Sequence, residues 1–322
     1  MTGGGLFTLH APHCRPTLPN AKPSPRITAS LMMDTPPKPA TSAEPTAADS
    51  TTITFIVLTS FFPESRRAVQ FANELAAPLG ARLVLLHSNH RGLLRKTSKA
   101  PADQQSTVYL EQALQEMAAG LDSPTTIELA TDLFPAVIND LARRYHPALF
   151  VLGRPHAERA DFDLGAATLD VLRNVELPLL LVPQSYTGPA APQHVAIAAD
   201  AEAFALPPHA LAPHILHKLR PQRTTVITAA AMQNDMACAS ALHYVGNSGL
   251  LPTDGPRLSV EGYYAIHPDL GILEALASTK ADCLILLARR RSVLGGFFHR
   301  SITSQLLMRS PVPVLVVPAI DG

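Results

Sequence analysis

Two tandem doubly wound α/β units, each with a five-stranded parallel sheet, are predicted from three features of the chain. The stretch ALFVLGR, Ala148 to Arg154, recurs as CLILLAR, Cys283 to Arg289, and PLLLVP, Pro178 to Pro183, recurs as PVLVVP, Pro313 to Pro318, at one common spacing. Two separate matches at one spacing mark a duplicated unit whose intervening loop and helix keep one length. Strand and helix patterns alternate through both copies, and strands such as ARLVLLHS, Ala81 to Ser88, are apolar nearly throughout, as strands covered on both faces must be. Helical crossovers leave such strands parallel and linked right-handedly.

The first copy opens with FIVLTSFFPESRRA, Phe55 to Ala68, a short strand, a turn and a helix. Pro63 suits the first helical turn, where its missing N–H needs no partner. Ala68, Phe71, Ala72 and Leu75 share one face of that helix, and Gly80 stops it. After strand Ala81 to Ser88 comes a helix with Leu110, Ala113, Leu114, Met117 and Leu121 at helical spacing. Strand Thr125 to Ala130, helix Phe134 to Tyr145, strand Ala148 to Gly153, a helix near Thr168 and strand Leu179 to Val182 complete the unit.

The second copy repeats the order. Strand HVAIAAD ends at Asp200, a helix runs from about Pro208 to Leu219, and strand RTTVITAA leads to a helix near Met232 to Tyr244. Strand RLSVEGYYA, a helix around Leu270 to Ala277, strand Cys283 to Leu287, a helix from Ser301 and strand Val314 to Val317 follow. The domain bounds are read as 51–186 and 192–320. In sheets of this kind ligands sit beyond the carboxyl ends of the strands, here those of the first and fourth strand of each copy.

Residues 1–50 are a different material, dense in Pro, Ala, Ser and Thr with no period able to bury a face, and a disordered arm is expected. Its basic, acid-free first part lacks the apolar core of a secretory signal, and Met32 or Met33 is an alternative start. In the whole chain of 322 residues, 47% are apolar and 16% charged, and 26 basic residues balance 26 acidic ones. That balance disfavours general binding to nucleic acid or acidic membrane. The 3 cysteines, Cys14, Cys238 and Cys283, have no CxxC spacing, which fits two core thiols and a tail residue in a reducing cytoplasm. No apolar run approaches the roughly 18 residues that a membrane helix needs.

FIVLTSFFPESRRA, ARLVLLHS and the endings LGR…PLLLVP and LGGFFHRSIT…PVLVVP resemble the universal stress protein family over both copies, from about Phe55 to Pro318. The resemblance implies a five-stranded, adenine-nucleotide hydrolase-like fold with strand order 3-2-1-4-5, pairing through the last strands. It also implies a nucleotide site in one branch of the family, which binds ATP through an Asp ending the first strand and a G-x-x-G…G-[ST] loop around the phosphates. Glycines serve that loop because backbone N–H groups must approach phosphate with no Cβ in the way.

Carried onto the first copy, the family's Asp falls at Ser60, Gly153 and Gly165 are kept, and His156 and Ala166 replace the second glycine and the Ser/Thr. Pro155 lacks a donor, and Glu158, Asp161 and Asp163 put carboxylates where a triphosphate would lie, so ATP is disfavoured there. The second copy keeps Asp200 and Ser301, while Ala288, Arg290 or Arg291, and Arg300 replace the glycines. It gains charge: Arg289, Arg290, Arg291, His299 and Arg300 crowd a helix N-terminus that favours anions. Those arginines either bind a phosphorylated ligand such as ATP or AMP or form a solvated loop.

Other clusters point to less. His209, His214 and His217 lack a further metal ligand, His87 reads as packed at the sheet edge, and Arg91, Arg95, Lys96 and Lys99 read as an exposed linker. No Walker lysine, G-x-S-x-G elbow, HExxH or G-x-G-x-x-G is present. The expectation is a non-enzymatic, cytoplasmic stress-response protein with degenerate nucleotide sites, acting by binding a ligand or protein partner. The alternative is an ATP- or AMP-binding switch with its ligand in the second copy. The apolar last strands, Leu179 to Val182 and Val314 to Val317, are expected to pair within the chain, or between chains as a homodimer.

Overall fold

A computed structural model describes residues 52–88, 104–130, 134–155, 177–232, 235–255, 258–289 and 300–322, without the side chains of 88, 104–108, 134–135 and 300–301. The predicted N-terminal arm, the helix near Thr168 and the Arg91 to Lys99 cluster lie outside these residues. The first repeat contributes β1 (Thr54–Thr59), α1 (Pro63–Leu79), β2 (Arg82–Ser88), α2 (Gln104–Ala119), β3 (Thr125–Ala130), α3 (Phe134–Arg144), β4 (Ala148–Arg154) and β5 (Leu179–Pro183). The second contributes β6 (His194–Ala198), β7 (Phe204–Ala205), α4 (Leu211–Leu219), β8 (Arg223–Ala230), α5 (Asp235–Asn247), β9 (Leu258–Tyr264), α6 (Pro268–Thr279), β10 (Cys283–Arg289), α7 (Arg300–Arg309) and β11 (Val314–Asp321).

The strands form one sheet in the order β3-β2-β1-β4-β5-β11-β10-β6-β8-β9, with β7 appended to β11. Each half therefore has the order 3-2-1-4-5, parallel throughout, and the halves meet antiparallel where Leu181, Leu180 and Leu179 face Val314, Leu315 and Val316. All six of these side chains are buried. Parallel strands with helices on both faces need apolar residues at every position, and Phe55, Ile56, Val57, Leu83, Val84 and Leu85 are each fully buried. His87 ends β2, which lies between β1 and β3, so it sits inside the sheet and not at its edge.

Local chemistry explains the helix ends. Pro63 opens α1, and Gly80 closes it at φ 60, its N–H and that of Ala81 returning to the carbonyls of Ala76 and Ala77. In the second repeat the same left-handed stop is made by Arg220 after α4 and Lys280 after α6, at φ 47 and 55. The repeats also join on one face of the sheet: α1 packs near α4, and Lys218 Nζ donates to the carbonyl of Leu79 at 2.8 Å. Between them the connection is pinned by Tyr186, whose hydroxyl donates to the carbonyls of Pro189 and Asp282, while the Tyr186 carbonyl accepts from Arg67 Nε.

Two sequence expectations need correction. Phe150 pairs with Leu179 and Leu284 with Val314, so Leu284 is the counterpart of Phe150 and Leu287, not Ala288, is the counterpart of Gly153. The connection is thus one residue longer in the second repeat, a slip that runs of interchangeable Leu, Ile and Val conceal. The first helix of the second repeat also begins at Leu211, well past the end of β6, whereas α1 starts soon after β1. The extra loop carries β7, which pairs antiparallel with Ile320 and Asp321 of a β11 longer than predicted.

Candidate functional site

The ends of β1 and β4 in the first repeat are closed by backbone packing. Past β1, the Ser60 N–H donates to Ser65 Oγ at 3.0 Å and Phe61 takes a left-handed φ of 57, which turns the chain sharply into α1. The first turn of α1 then lies directly on the end of β4. A Cβ at Gly153 would stand 2.2 Å from the Glu64 carbonyl oxygen and 3.0 Å from Ser65 N. Gly153 thus serves helix-to-sheet contact here. Beside it, His87 Nδ1 donates to the Thr59 carbonyl at 3.0 Å and its ring meets Phe61 at 5.4 Å; burial pushes its pKa below 6.5. No carboxylate stands at the Ser60 position, and Gly165 lies outside the described residues.

The equivalent place in the second repeat is charged. Thr54 pairs with Arg82 and His194 with Arg223, which puts Ser60 and Asp200 at matching stations beyond their first strands. Arg289 Nη2 donates to Asp200 Oδ1 at 2.5 Å and to the Glu202 carbonyl at 3.0 Å, while Nη1 donates to Glu202 Oε2 at 2.5 Å. The Asp200 carboxylate also accepts the Glu202 N–H at 3.0 Å. Arg289 is only 8% exposed, so its guanidinium is a buried bridge between the ends of β6 and β10. It meets two carboxylates from within the chain, one of them at the position onto which the resemblance carries the family's Asp.

Of the sequence-derived candidates, the structure thus brings together Asp200 and Arg289, and it separately sets Gly153 and Ser60 around the first turn of α1. Arg290 and Arg291 lie outside the described residues, and Arg300 and Ser301 open α7 with side chains outside the description. Sequence reasoning missed Glu202, whose signal was its place two residues after Asp200. It also missed Arg154, which carried no sequence signal. His214 and His217 are exposed on α4, and among the described residues no three His, Cys, Asp or Glu side chains gather as a metal site. Among those residues no helix is long and apolar enough to cross a membrane.

A model of the universal stress protein family matches residues 54–183 and 257–318, leaving out β6 to β8 where the second repeat carries its longer loop. A crystal structure of a universal stress protein from Archaeoglobus fulgidus DSM 4304 is similar at a TM-score of 0.62 and 15% identity, covering 82% of this chain and 98% of that one. A chain from Pseudomonas aeruginosa UCBPP-PA14 is similar at 0.50 and 14% identity, covering 84% and 95%. No curated protein sequence matches significantly. The family match spans more than half of the chain and falls in both repeats, and the shared fold has the same strand order twice, so this chain belongs to the universal stress protein family as a tandem two-repeat member.

Proposed function

We propose that this universal stress protein is a cytoplasmic stress-response protein that acts by binding and not by turnover, with both inherited nucleotide sites degenerate. The observation that carries the reading is the bridge from Arg289 to Asp200 and Glu202. A nucleoside hydroxyl seeking Asp200 must displace a mostly buried guanidinium from one of its two carboxylates, which opposes binding. In the first repeat the carboxylate is missing at Ser60, and the helix turn closes on Gly153. The unpaired buried thiols Cys238 and Cys283 support a reducing compartment.

Calorimetric titration of the full chain with ATP and AMP tests this. The expected result is no binding tighter than about 1 mM, a free energy that the displaced ion pair readily cancels. Micromolar binding by the wild-type chain, weakened by Arg300→Glu, would instead establish the second reading: an ATP- or AMP-responsive switch in the second repeat. That reading is favoured by one observation, the retention of Asp200 at the nucleoside position.

A further inference from the structure

A cavity lies away from both inherited sites, between the repeats. It has a volume of about 420 Å³ and is walled on one side by the end of α3 and the starts of β4 and β5, on the other by the segment before α4 and by β11. The first repeat supplies Arg143 and His146, the second supplies His209, and no acidic residue lines the space. Among the described residues none of these three side chains has a hydrogen-bond or ion-pair partner. The contrast with the next residue is sharp: Arg144 turns away to Glu128 and Asp140, each at 2.8 Å. Apart from Asn139, the remaining wall is apolar and stiff, with Pro178, Leu211 and Val317 among its residues. The first turn of α4 opens on the same space, and Ala210 offers no side-chain acceptor to its N–H groups.

We propose that this cleft binds a small organic anion, its phosphate or carboxylate head taken by Arg143, His146 and His209 and its apolar body lying on the proline-rich wall. An unpaired guanidinium without a neighbouring carboxylate attracts an anion and meets either head group with two parallel donors, and an imidazole N–H can donate beside it. The volume fits a small-molecule ligand, and sites of this composition favour domain boundaries. A ligand held from both sides also fastens the repeats together, so its binding stabilises the fold by mass action.

Titration of the intact chain with inorganic phosphate, phenyl phosphate and benzoate, followed by calorimetry and thermal melting at fixed salt, tests the proposal. Phenyl phosphate or benzoate is expected to bind at least about tenfold more tightly than inorganic phosphate, the worth of burying part of a ring. Arg143→Gln is expected to weaken it by about tenfold, the value of a charge-assisted hydrogen bond. His209→Asn, chosen because Asn tolerates the left-handed φ of 62 at this position, should weaken it as well. Both replaced side chains are exposed, so melting of the free variants should match that of the wild type. The assignment is overturned if neither organic anion binds at about 10 mM, a limit set by the weakest useful affinity. It is overturned equally if binding is unchanged in both variants, or if inorganic phosphate binds as well as the organic anions.

Discussion

Arg154, at the end of β4 in the first repeat, donates from Nη2 to the carbonyl oxygen of Ser310 at 2.5 Å, just past the last helix of the second. Its Nη1 donates to the carbonyl of Met308, so one side chain closes the C-terminus of α7 across the junction of the repeats. Burial lowers the guanidinium's pKa, and its Nε is buried without a partner, so part of the gain is offset. Arg154→Met should therefore cost about 1.5–3 kcal/mol, the range for hydrogen bonds to a charged group. Urea unfolding followed by circular dichroism measures it, and an unchanged midpoint would show that the contact contributes nothing net.

Val316 is fully buried opposite Leu179. Val316→Asp places an unpaired carboxylate in the seam and should cost about 4 kcal/mol or more, with aggregation or separation of the repeats seen by size-exclusion chromatography. A soluble variant that melts like the wild type would show that the seam is not held by these strands.

Gly153→Ala should destabilise by about 2–4 kcal/mol, because the atom it would strike is backbone and cannot rotate away. The comparison variant is Gly120→Ala, where an added Cβ has nothing closer than 3.7 Å. Equal melting temperatures for the two would refute the close approach of α1 to β4.

Lys280 ends α6 in the left-handed region at φ 55, where a side chain is strained and glycine is not. Lys280→Gly should raise stability by about 0.5–1 kcal/mol once the greater freedom of the unfolded glycine is set against the relieved strain. Chemical denaturation decides between a gain and a loss.

His87 and His194 both have pKa values pushed below 6.5, chiefly by burial. The unfolded chain then binds protons that the native chain refuses. Stability present above pH 6.5 should be lost as pH falls below that value, until the native histidines also protonate. Denaturation midpoints between about pH 5 and 7.5 trace this slope. His87→Gln should flatten it, and a slope of opposite sign would contradict the burial of both rings.

Most of the architecture was legible because it depends on patterns that local chemistry repeats. The helix from Phe134 was predicted to Tyr145 and ends at Arg144, and the strand at Thr125 to Ala130 was read without error. Register was not legible, since Leu, Ile and Val fill β4 and β10 interchangeably and only backbone pairing shows that Leu287 answers Gly153. The late start of α4 was hidden by Pro208, which reads as a helix opening when it belongs to the loop before it. At the candidate site, Asp200 and Arg289 were visible as single charges. Their bridge depends on the meeting of β6 and β10 in space, and a sequence separation of 89 residues carries no trace of it.

The antiparallel seam between β5 and β11 also changes what substitution can do. In an assembly of two identical subunits, every altered residue appears on both sides of the symmetry axis, and a change useful in one place is imposed on the other. Here the two sides are separate stretches of one gene product, so the axis relates backbones without relating side chains. Ser60 can stand opposite Asp200, and Gly153 opposite Leu287, without either member constraining its counterpart. Covalent joining thus lets one architecture hold two independently adjustable sites.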